Sequence, residues 1–353
     1  MRAAVYHGRG DVRVEQVPDP PPPGPGEVRL QVLRTAICGT DVSEYLHGPL
    51  LIPLTTRHPA SGHLGPVVMG HEVLGRVLEV GEGVRTLAPG QRVALGAGVW
   101  CGRCAWCREG RPNLCQHAYT IGLQAHGGLA ELVTVPAAMS RPVPDLLADD
   151  HAVMAQPMSI ALHALRRAGI RPGQSLALIG VGGIGAFILA AAAAKGAAPL
   201  IAYDLSPSRL GTAAVLAPRA RLLSTDAEVR DAVSELTGGA GADLVVEASG
   251  SPAGLAMAPD LARRGGRLLL VGLQAEPRPL DFHRLVTREV DVITSNAHVC
   301  DVDLPEALEL LATSGIGPHV LDRVIALEEV VPKGLMALAR GAVRGKVVVR
   351  LEP

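Results

Sequence analysis

A glycine-rich turn between two apolar segments constrains the fold of this chain more than any other feature. Residues Gly180–Gly185 fit the pattern G-x-G-x-x-G. The strand-like run Leu176–Ile179 precedes the turn, and the alanine-rich helical run Ile184–Ala194 follows it. Asp204 lies nineteen residues beyond the last glycine, at the end of the next apolar run. In this context the turn indicates a dinucleotide-binding unit, whereas the glycines alone would also fit a plain α/β turn.

Each glycine of the turn has a predicted task. Gly180 permits the tight turn, Gly182 lets the backbone approach a pyrophosphate, and Gly185 lets the helix pack closely on the sheet. The phosphates would accept hydrogen bonds from unpaired N–H groups at the helix N-terminus. The residues expected to contact the nucleotide in this unit are Gly180, Gly182, Gly183, Ile184, Gly185, Asp204 and Arg209.

The coenzyme preference is predicted from Asp204. Its carboxylate is expected to accept hydrogen bonds from the adenosine ribose hydroxyls and to repel a 2′-phosphate, which favours NAD(H) over NADP(H). Arg209 is close enough in the sequence to weaken that preference, but we interpret it instead as a residue of the adenine side or of the surface.

From about residue 172 onward, apolar runs alternate with helical segments. The strand-like runs are Leu176–Ile179, Leu200–Tyr203, Leu244–Glu247 and Leu268–Val271. Such alternation implies a doubly wound parallel sheet with helices on both faces. Residues 1–150 instead contain short apolar runs separated by Gly and Pro clusters, which favours a β-rich domain. The expected fold class is therefore α/β, with a β-rich domain and a second domain built on a parallel sheet.

Further helices are expected near 253–263, at 305–313 and near 328–340. Residues Lys346–Leu351 are expected to form a final strand.

Composition excludes several classes of protein and partner. A length of 353 residues, with 48% hydrophobic and 19% charged residues, excludes disorder and coiled coil and suits two domains. The net charge of -1 provides no basic excess for nucleic acid or for an anionic membrane. Lysine occurs only at Lys195, Lys333 and Lys346, which we interpret as a compositional habit and not as a binding signal.

Residues 175–194 carry no charge and are long enough to resemble a membrane span. The glycines between 180 and 185 favour a strand, a turn and a buried helix instead. The N-terminal segment Met1–His7 has no apolar core of signal-peptide length, so secretion is not expected. Four of the six cysteines fall within fifteen positions, which suits a metal in a reducing compartment. The expected location is the cytoplasm.

The clustered cysteines are Cys101, Cys104, Cys107 and Cys115, with the spacing C-x2-C-x2-C-x7-C. Four thiolates on one loop can close a tetrahedral shell around Zn2+ and leave no open position, so the predicted metal is structural. In small zinc peptides such binding contributes roughly 10–16 kcal/mol, enough to order a loop without its own core. An iron–sulfur cluster is the alternative.

Cys38, His71 and Glu72 form a second candidate metal site. A thiolate, an imidazole and a carboxylate suit Zn2+ and leave room for a substrate. By spacing alone the pairing is speculative, because a lone cysteine and a lone histidine are usually structural.

These motifs together resemble the zinc-dependent medium-chain alcohol dehydrogenase family over essentially the whole chain. The resemblance is carried by Cys38-Gly39-Thr40-Asp41, Gly70-His71-Glu72, the four-cysteine loop, Gly180–Gly185 and Asp204. The phrases Glu44–Pro49, His58-Pro59 and Gly65–Val67 look most similar to its butanediol and polyol (sorbitol-like) branch.

The resemblance implies a domain organisation. A GroES-like catalytic domain would cover residues 1–155, with the structural zinc loop at about 96–116. A Rossmann NAD-binding domain would cover 156–293, and residues 294–353 would return to the catalytic domain. A homodimer or a homotetramer is also implied.

The resemblance further implies hydride transfer between NAD and a secondary alcohol of the diol, polyol or cyclitol type, or the corresponding ketone. Two zinc ions per chain are implied, one catalytic and one structural. Thr40 would take the hydroxyl proton beside the zinc held by Cys38 and His71. Glu72 would either ligate that zinc directly or exchange with water beside it. Val271 and Asn296 would contact the nucleotide.

Two departures from the family pattern bear on mechanism. Gln156-Pro157 stands where polyol-type members carry Glu-Pro, so a neutral amide oxygen would replace a carboxylate ligand and leave the metal more electrophilic and more easily lost. Ser43 stands where a histidine usually relays the proton to solvent. His47 or His58 could substitute for it.

Two hypotheses from other classes stay open on the sequence. In one, the catalytic zinc is absent or a spectator, and the protein reduces a double bond or performs a non-redox step. In the other, the protein binds NAD without catalysis. The zinc content per chain discriminates the first, and turnover of an alcohol discriminates the second.

Overall fold

Residues 1–274 and 276–351 are described by a computed structural model, in which the chain folds as two units. One unit contains Met1–Ser159 and His298–Pro353, and the other contains Ile160–Ala297. The predicted domain segments 156–293 and 294–353 include Ala275, Glu352 and Pro353, which lie outside the described residues.

The strands, in chain order, are β1 (Arg2–Gly8), β2 (Asp11–Gln16), β3 (Glu27–Ala36), β4 (Val67–Val68), β5 (Glu72–Val80), β6 (Arg92–Leu95), β7 (Gly98–Val99), β8 (Tyr119–Thr120), β9 (Leu132–Pro136), β10 (Ser140–Pro142), β11 (Leu176–Ile179), β12 (Leu200–Tyr203), β13 (Arg221–Leu223), β14 (Ala242–Glu247), β15 (Ala262–Leu270), β16 (Asp291–Thr294), β17 (Leu321–Ala326) and β18 (Lys346–Arg350).

The α-helices are α1 (Gly39–His47), α2 (Ala105–Arg108), α3 (Asp149–Ala152), α4 (Ala155–Ala168), α5 (Gly183–Ala194), α6 (Pro207–Leu216), α7 (Asp226–Leu236), α8 (Pro252–Leu261), α9 (Phe282–Thr287), α10 (Cys300–Ser314), α11 (Gly317–Val320) and α12 (Met336–Ala339). Short 3-10 helices span Pro112–Leu114, Ala137–Met139 and Leu327–Glu329, and a π-helical segment spans Val330–Leu335.

The first unit is built on β-sheets, as predicted for the N-terminal residues. A seven-stranded sheet has the order β10-β6-β5-β3-β18-β17, with β9 also paired to β3. Alternate residues of the first half of β3 point into the apolar core, where Val28, Leu30 and Val32 are fully buried. The pairing of β3 with β5 on one side and with β18 on the other brings three distant segments of the chain together.

The second unit is the predicted doubly wound Rossmann sheet. Its six strands are parallel, in the order β13-β12-β11-β14-β15-β16. All four residues of β11 are buried, as expected for a strand covered on both faces. The strand order reverses between β11 and β14, the place where sheets of this kind bind ligands.

The segment near 328–340 differs from the prediction of one helix. A 3-10 turn, the π-helical segment Val330–Leu335 and the short α12 occupy it. Pro332 has no N–H for a helical hydrogen bond, and Gly334 approaches Ile37 so closely that a Cβ there would collide with the Ile37 side chain. The periodicity of apolar residues could not reveal that contact.

The uncharged run 175–194 forms β11 and α5, as predicted. Within the described part of the chain, no helix is both long and apolar enough to cross a membrane.

Candidate metal centres and nucleotide site

Cys38 occupies the junction between β3 and α1, where it is the N-cap residue of the helix. Its backbone N–H donates to Asp41 Oδ2 at 2.8 Å, a bond that fixes the first turn of α1. The partly exposed thiol is therefore held on a rigid corner of the fold.

His71 and Glu72 reach the same corner through strand pairing. Glu72 begins β5 and pairs with Ala36 of β3, two residues before Cys38. Gly70 precedes them with a φ of 92°, and a Cβ there would lie 2.8 Å from the backbone N of Leu129. The donor atoms of Cys38, His71 and Glu72 all lie within 4.8 Å of one another.

A buried carboxylate oxygen of this cluster lacks a partner that a cation would supply. Glu72 Oε2 accepts no hydrogen bond in the described residues. His71 Nδ1 faces Asp41 Oδ1 at 3.5 Å, which leaves the other ring nitrogen of His71 for a metal. Buried polar atoms are normally paired, and a thiol, an imidazole and a carboxylate are the ligands that Zn2+ prefers, so these residues fit the metal.

The electrostatics of the metal-free cluster favour positive charge. Burial disfavours a charged imidazole, but the nearby Asp41 and Cys38 outweigh it and raise the pKa of His71 well above its ordinary value. A metal cation in this position would replace that proton and meet the same negative surroundings.

Lys346 is the residue at this centre that sequence reasoning missed. It begins β18 and is buried, and its Nζ lies 2.5 Å from Glu72 Oε1 and 3.5 Å from the Ile37 carbonyl oxygen. Burial disfavours the ammonium form, but Glu72 outweighs it, and the pKa of Lys346 is raised. The interpretation of the three lysines as a compositional habit assigned Lys346 no role, and the structure gives it an ion pair with Glu72. The available signal was a lone lysine opening an apolar strand.

Thr40 lies beside the candidate metal ligands, with its Oγ1 3.8 Å from Cys38 Sγ. Ser43, on the next turn of α1, donates its hydroxyl proton to the carbonyl oxygen of Gly39 at 3.1 Å. His47 is exposed at the end of α1. Gln156 is buried near the start of α4, and its ligation of a metal stays a prediction.

The four cysteines of the loop converge as their spacing predicts. Their sulfur atoms all lie within 4.8 Å of one another, and Cys104 Sγ is 3.5 Å from Cys107 Sγ. Backbone N–H groups of Cys101 and His117 each donate to Cys115 Sγ at 3.3 Å. N–H groups of Cys107 and Gln116 lower the pKa of Cys104 to about 6. Burial instead raises the pKa of Cys107 to about 12. Four sulfur atoms that converge on one point are a donor set that fits a structural Zn2+.

The glycine turn of the second unit is open where a pyrophosphate would lie. A Cβ placed on Gly182 or Gly183 would meet nothing within 4 Å, and Gly182 is the N-cap of α5. Gly180 has a φ of 92°, and a Cβ there would lie 2.7 Å from the backbone N of Ser249. A Cβ on Gly185 would collide with the Gly180 carbonyl. The turn therefore has an open cradle at 182–183 and tight packing at 180 and 185, which fits a dinucleotide.

Asp204 follows β12 directly and is tied to the turn. Its Oδ2 accepts from Val181 N and its Oδ1 from Ser206 N, both at 2.8 Å. Arg209 Nη1 is 3.6 Å from Asp204 Oδ2. Each carboxylate oxygen can still accept a further hydrogen bond, as ribose hydroxyls would require. Val271 and Asn296 follow β15 and β16, at the carboxyl edge of the sheet.

Comparisons with known proteins agree with this geometry. Residues 24–145 match the family model "Alcohol dehydrogenase GroES-like domain", and residues 183–313 match "Zinc-binding dehydrogenase". The chain is 31% identical to sorbitol dehydrogenase of Bacillus subtilis, covering 93% of this chain and 91% of that protein. It is 30% identical to (R,R)-butanediol dehydrogenase of the same organism, covering 99% of both chains. The crystal structure of 2R,3R-butanediol dehydrogenase from Bacillus subtilis superposes with a TM-score of 0.90 at 30% identity over 99% of both chains.

Proposed function

This chain belongs to the zinc-dependent medium-chain alcohol dehydrogenase family, and we propose that it transfers a hydride between a secondary alcohol of the diol, polyol or cyclitol type and NAD. One observation carries the proposal. The donor atoms of Cys38, His71 and Glu72 converge to within 4.8 Å, with a hydroxyl beside them at Thr40. That donor set offers a metal fewer than four protein ligands of the preferred kinds, which is typical of catalytic zinc and not of structural zinc.

When bound, Zn2+ supplies the Lewis acidity that polarises an alcohol oxygen, and NAD supplies the hydride acceptor. Cys38 and His71 would hold the metal from two directions. Asp41 lies 3.5 Å from the His71 ring nitrogen Nδ1 and would orient that ring, so that the other ring nitrogen serves as the ligand. Lys346 holds Glu72 Oε1 and leaves Oε2 as the atom of that carboxylate with room for a further partner.

Thr40 is the group proposed to accept the proton of the substrate hydroxyl. Its Oγ1 lies 3.8 Å from Cys38 Sγ, at the N-terminus of α1. In the observed rotamer Ser43 is not a proton donor to solvent, because its hydroxyl proton is donated to the carbonyl oxygen of Gly39 within the helix. We therefore propose that the proton passes from Thr40 to water, without Ser43 as a donor.

The proposed preference for NAD over NADP rests on Asp204. Its buried carboxylate would oppose a 2′-phosphate, and the half-exposed Arg209 at 3.6 Å offsets only part of that charge. We expect kcat/KM for NAD+ to exceed that for NADP+ by on the order of 100-fold.

Gln156 is proposed to face the catalytic metal as a neutral ligand. Gln156→Glu should then slow the loss of zinc to a chelator, because it adds a negative charge to the ligand set. Unchanged chelator sensitivity in that variant would refute this part of the proposal.

The test is an NADH-formation screen over diols, polyols and cyclitols, with NAD+ and NADP+ in parallel. Turnover of a secondary alcohol in wild type, and its loss in Cys38→Ala with nucleotide binding intact, is the expected result. Absence of turnover of every alcohol by protein that holds zinc and binds NAD+ would overturn the proposal. Light scattering on the same sample tests the expected homodimer or homotetramer. The cysteine usage also supports a cytoplasmic location, which we propose.

A further inference from the structure

Glu247 is a fully buried carboxylate at the carboxyl end of β14. In the sheet it lies level with Ile179, the last residue of β11, and with Leu270, the last residue of β15. Glu247 therefore ends the strand β14, which lies on one side of the point between β11 and β14 where the strand order reverses. Sheets of this type bind their ligand at that point.

One oxygen of this carboxylate is fully engaged. Glu247 Oε1 accepts from Ser249 N at 2.8 Å, from Gly250 N at 3.1 Å and from the Ser249 hydroxyl. The Glu247 carbonyl oxygen also accepts from Val271 N and Gly272 N, both at 2.9 Å. Three donors on one oxygen are what an ionised carboxylate accepts, and they fix its position relative to the loops after β14 and β15.

The other oxygen has no partner. In the described part of the chain, Glu247 Oε2 accepts no hydrogen bond and Glu247 forms no ion pair. Gly250 and Gly272 enclose it, and a Cβ on Gly272 would collide with Oε2. The negative charge is thus buried without a cation, and charges in such surroundings are weakly screened.

The nicotinamide half of the nucleotide is expected on this side of the reversal. Two strand–helix halves share the ligand in such folds, and Asp204, at the end of β12, marks the half that takes the adenosine. The other half, built from β14, β15 and β16, is therefore expected to bind the nicotinamide, and Glu247 is part of that half.

We propose that Glu247 determines which redox state of the nucleotide binds more tightly. The oxidised nicotinamide ring carries a positive charge and the reduced ring is neutral, so an uncompensated carboxylate nearby favours NAD+ over NADH. The inference rests on the proposed NAD-dependent function and deepens it. The same attraction would favour release of NADH, because the reduced ring carries no positive charge for the carboxylate to attract.

The experiment measures the dissociation constants of NAD+ and NADH by calorimetry for wild type and Glu247→Gln. The amide keeps the size of the side chain and an oxygen for the three donors, and it removes the charge. We expect the dissociation constant of NAD+ to rise about tenfold while that of NADH changes less than twofold. Glu247→Asp keeps the charge, and its ratio of the two constants should stay near that of wild type.

Asp243→Asn is the matched control, because Asp243 is a carboxylate at the opposite end of β14, paired with Arg263 at 2.7 Å. Its ratio of constants should equal that of wild type. An unchanged ratio in Glu247→Gln, or an equal weakening of both nucleotides, would overturn the inference and leave the proposed function standing. Failure of wild type to bind either nucleotide would instead overturn the proposed function and this inference with it.

Discussion

Lys346 Nζ lies 2.5 Å from Glu72 Oε1, with 7% of the lysine side chain and 1% of the glutamate side chain exposed. A pair this deeply buried contributes little net stability, but breaking it by removing one partner leaves an uncompensated charge. The lysine therefore fixes a carboxylate that is itself one of the three candidate zinc ligands.

Lys346→Met should destabilise the metal-free protein by roughly 3 kcal/mol, because Glu72 is left buried with its charge unpaired. Added zinc should recover more of the apparent melting temperature in this variant than in wild type, since the metal supplies the missing positive charge. Thermal denaturation with and without zinc measures both effects. Lys346→Arg keeps the charge and serves as the control. A metal-free Lys346→Met protein as stable as wild type would show that the ion pair is unimportant.

Asp41→Asn should weaken zinc binding at the catalytic centre by about 10- to 100-fold, because a carboxylate that orients a ligating histidine tunes its metal affinity. Asp41 has this position, 3.5 Å from His71 Nδ1 and 2.8 Å from Cys38 N. Competition with a chelator measures the affinity, and the four-cysteine site provides an internal reference. Ser43→Ala, on the same helix, should leave the affinity unchanged. Equal zinc affinity in Asp41→Asn and Ser43→Ala would contradict the assignment.

Gly182→Ala and Gly185→Ala should separate nucleotide binding from folding. A Cβ on Gly182 meets open space, so that variant should keep the wild-type melting temperature and bind NAD+ at least tenfold more weakly. A Cβ on Gly185 collides with the Gly180 carbonyl, so that variant should lose about 1–3 kcal/mol of stability. Calorimetric titration and thermal denaturation give the two quantities. Wild-type NAD+ affinity in Gly182→Ala would place the pyrophosphate elsewhere.

Asp243 makes the stability of the fold depend on pH, and its neighbours determine the sign of that dependence. Burial opposes the charged form, but hydrogen bonds from Arg263 and Ser175 outweigh it and hold the pKa of Asp243 below its ordinary value. The ionised side chain therefore stabilises the fold above pH of about 4, and the contribution is lost as the pH falls through the folded pKa. Asp243→Asn should be less stable than wild type by about 1 kcal/mol at pH 7.

Melting curves at pH 7, 5, 4 and 3.5 test that sign. The difference in stability between wild type and Asp243→Asn should become smaller at the acid end. A gap that widens on acidification would show that Asp243 does not titrate as its contacts imply.

The second unit was predictable because its determinants are local. The first apolar run, the glycine turn and Asp204 all fall within about thirty residues, and their spacing predicted the nucleotide site. The alternation of apolar runs with helical segments over 176–271 predicted the parallel sheet. The four-cysteine loop was predictable for the same reason, since one short segment holds every ligand.

The candidate metal cluster of Cys38, His71 and Glu72 depends on long-range strand pairing, which sequence spacing does not encode. Cys38 and Glu72 meet because β3 pairs with β5, and Lys346 joins them because β18 pairs with β3 on the other side. Only the family resemblance predicted that Cys38 and Glu72 would lie close together. Nothing local to Lys346 identified its partner, and nothing local to Glu247 indicated that its charge would be buried without a cation.

Zinc content and activity determined on the same samples test most directly whether Cys38 holds a catalytic zinc. The experiment determines zinc per chain by mass spectrometry and NADH formation from the best alcohol substrate, for wild type, Cys38→Ser and Cys300→Ser. Cys300 is a buried thiol outside both cysteine sites, so its variant controls for loss of a thiol alone. The account predicts two zinc ions in wild type and Cys300→Ser, and one zinc ion with activity lowered at least 1,000-fold in Cys38→Ser, because the Lewis acid is lost. A fully active wild type with a single zinc, or a Cys38→Ser protein as active as wild type, would contradict it.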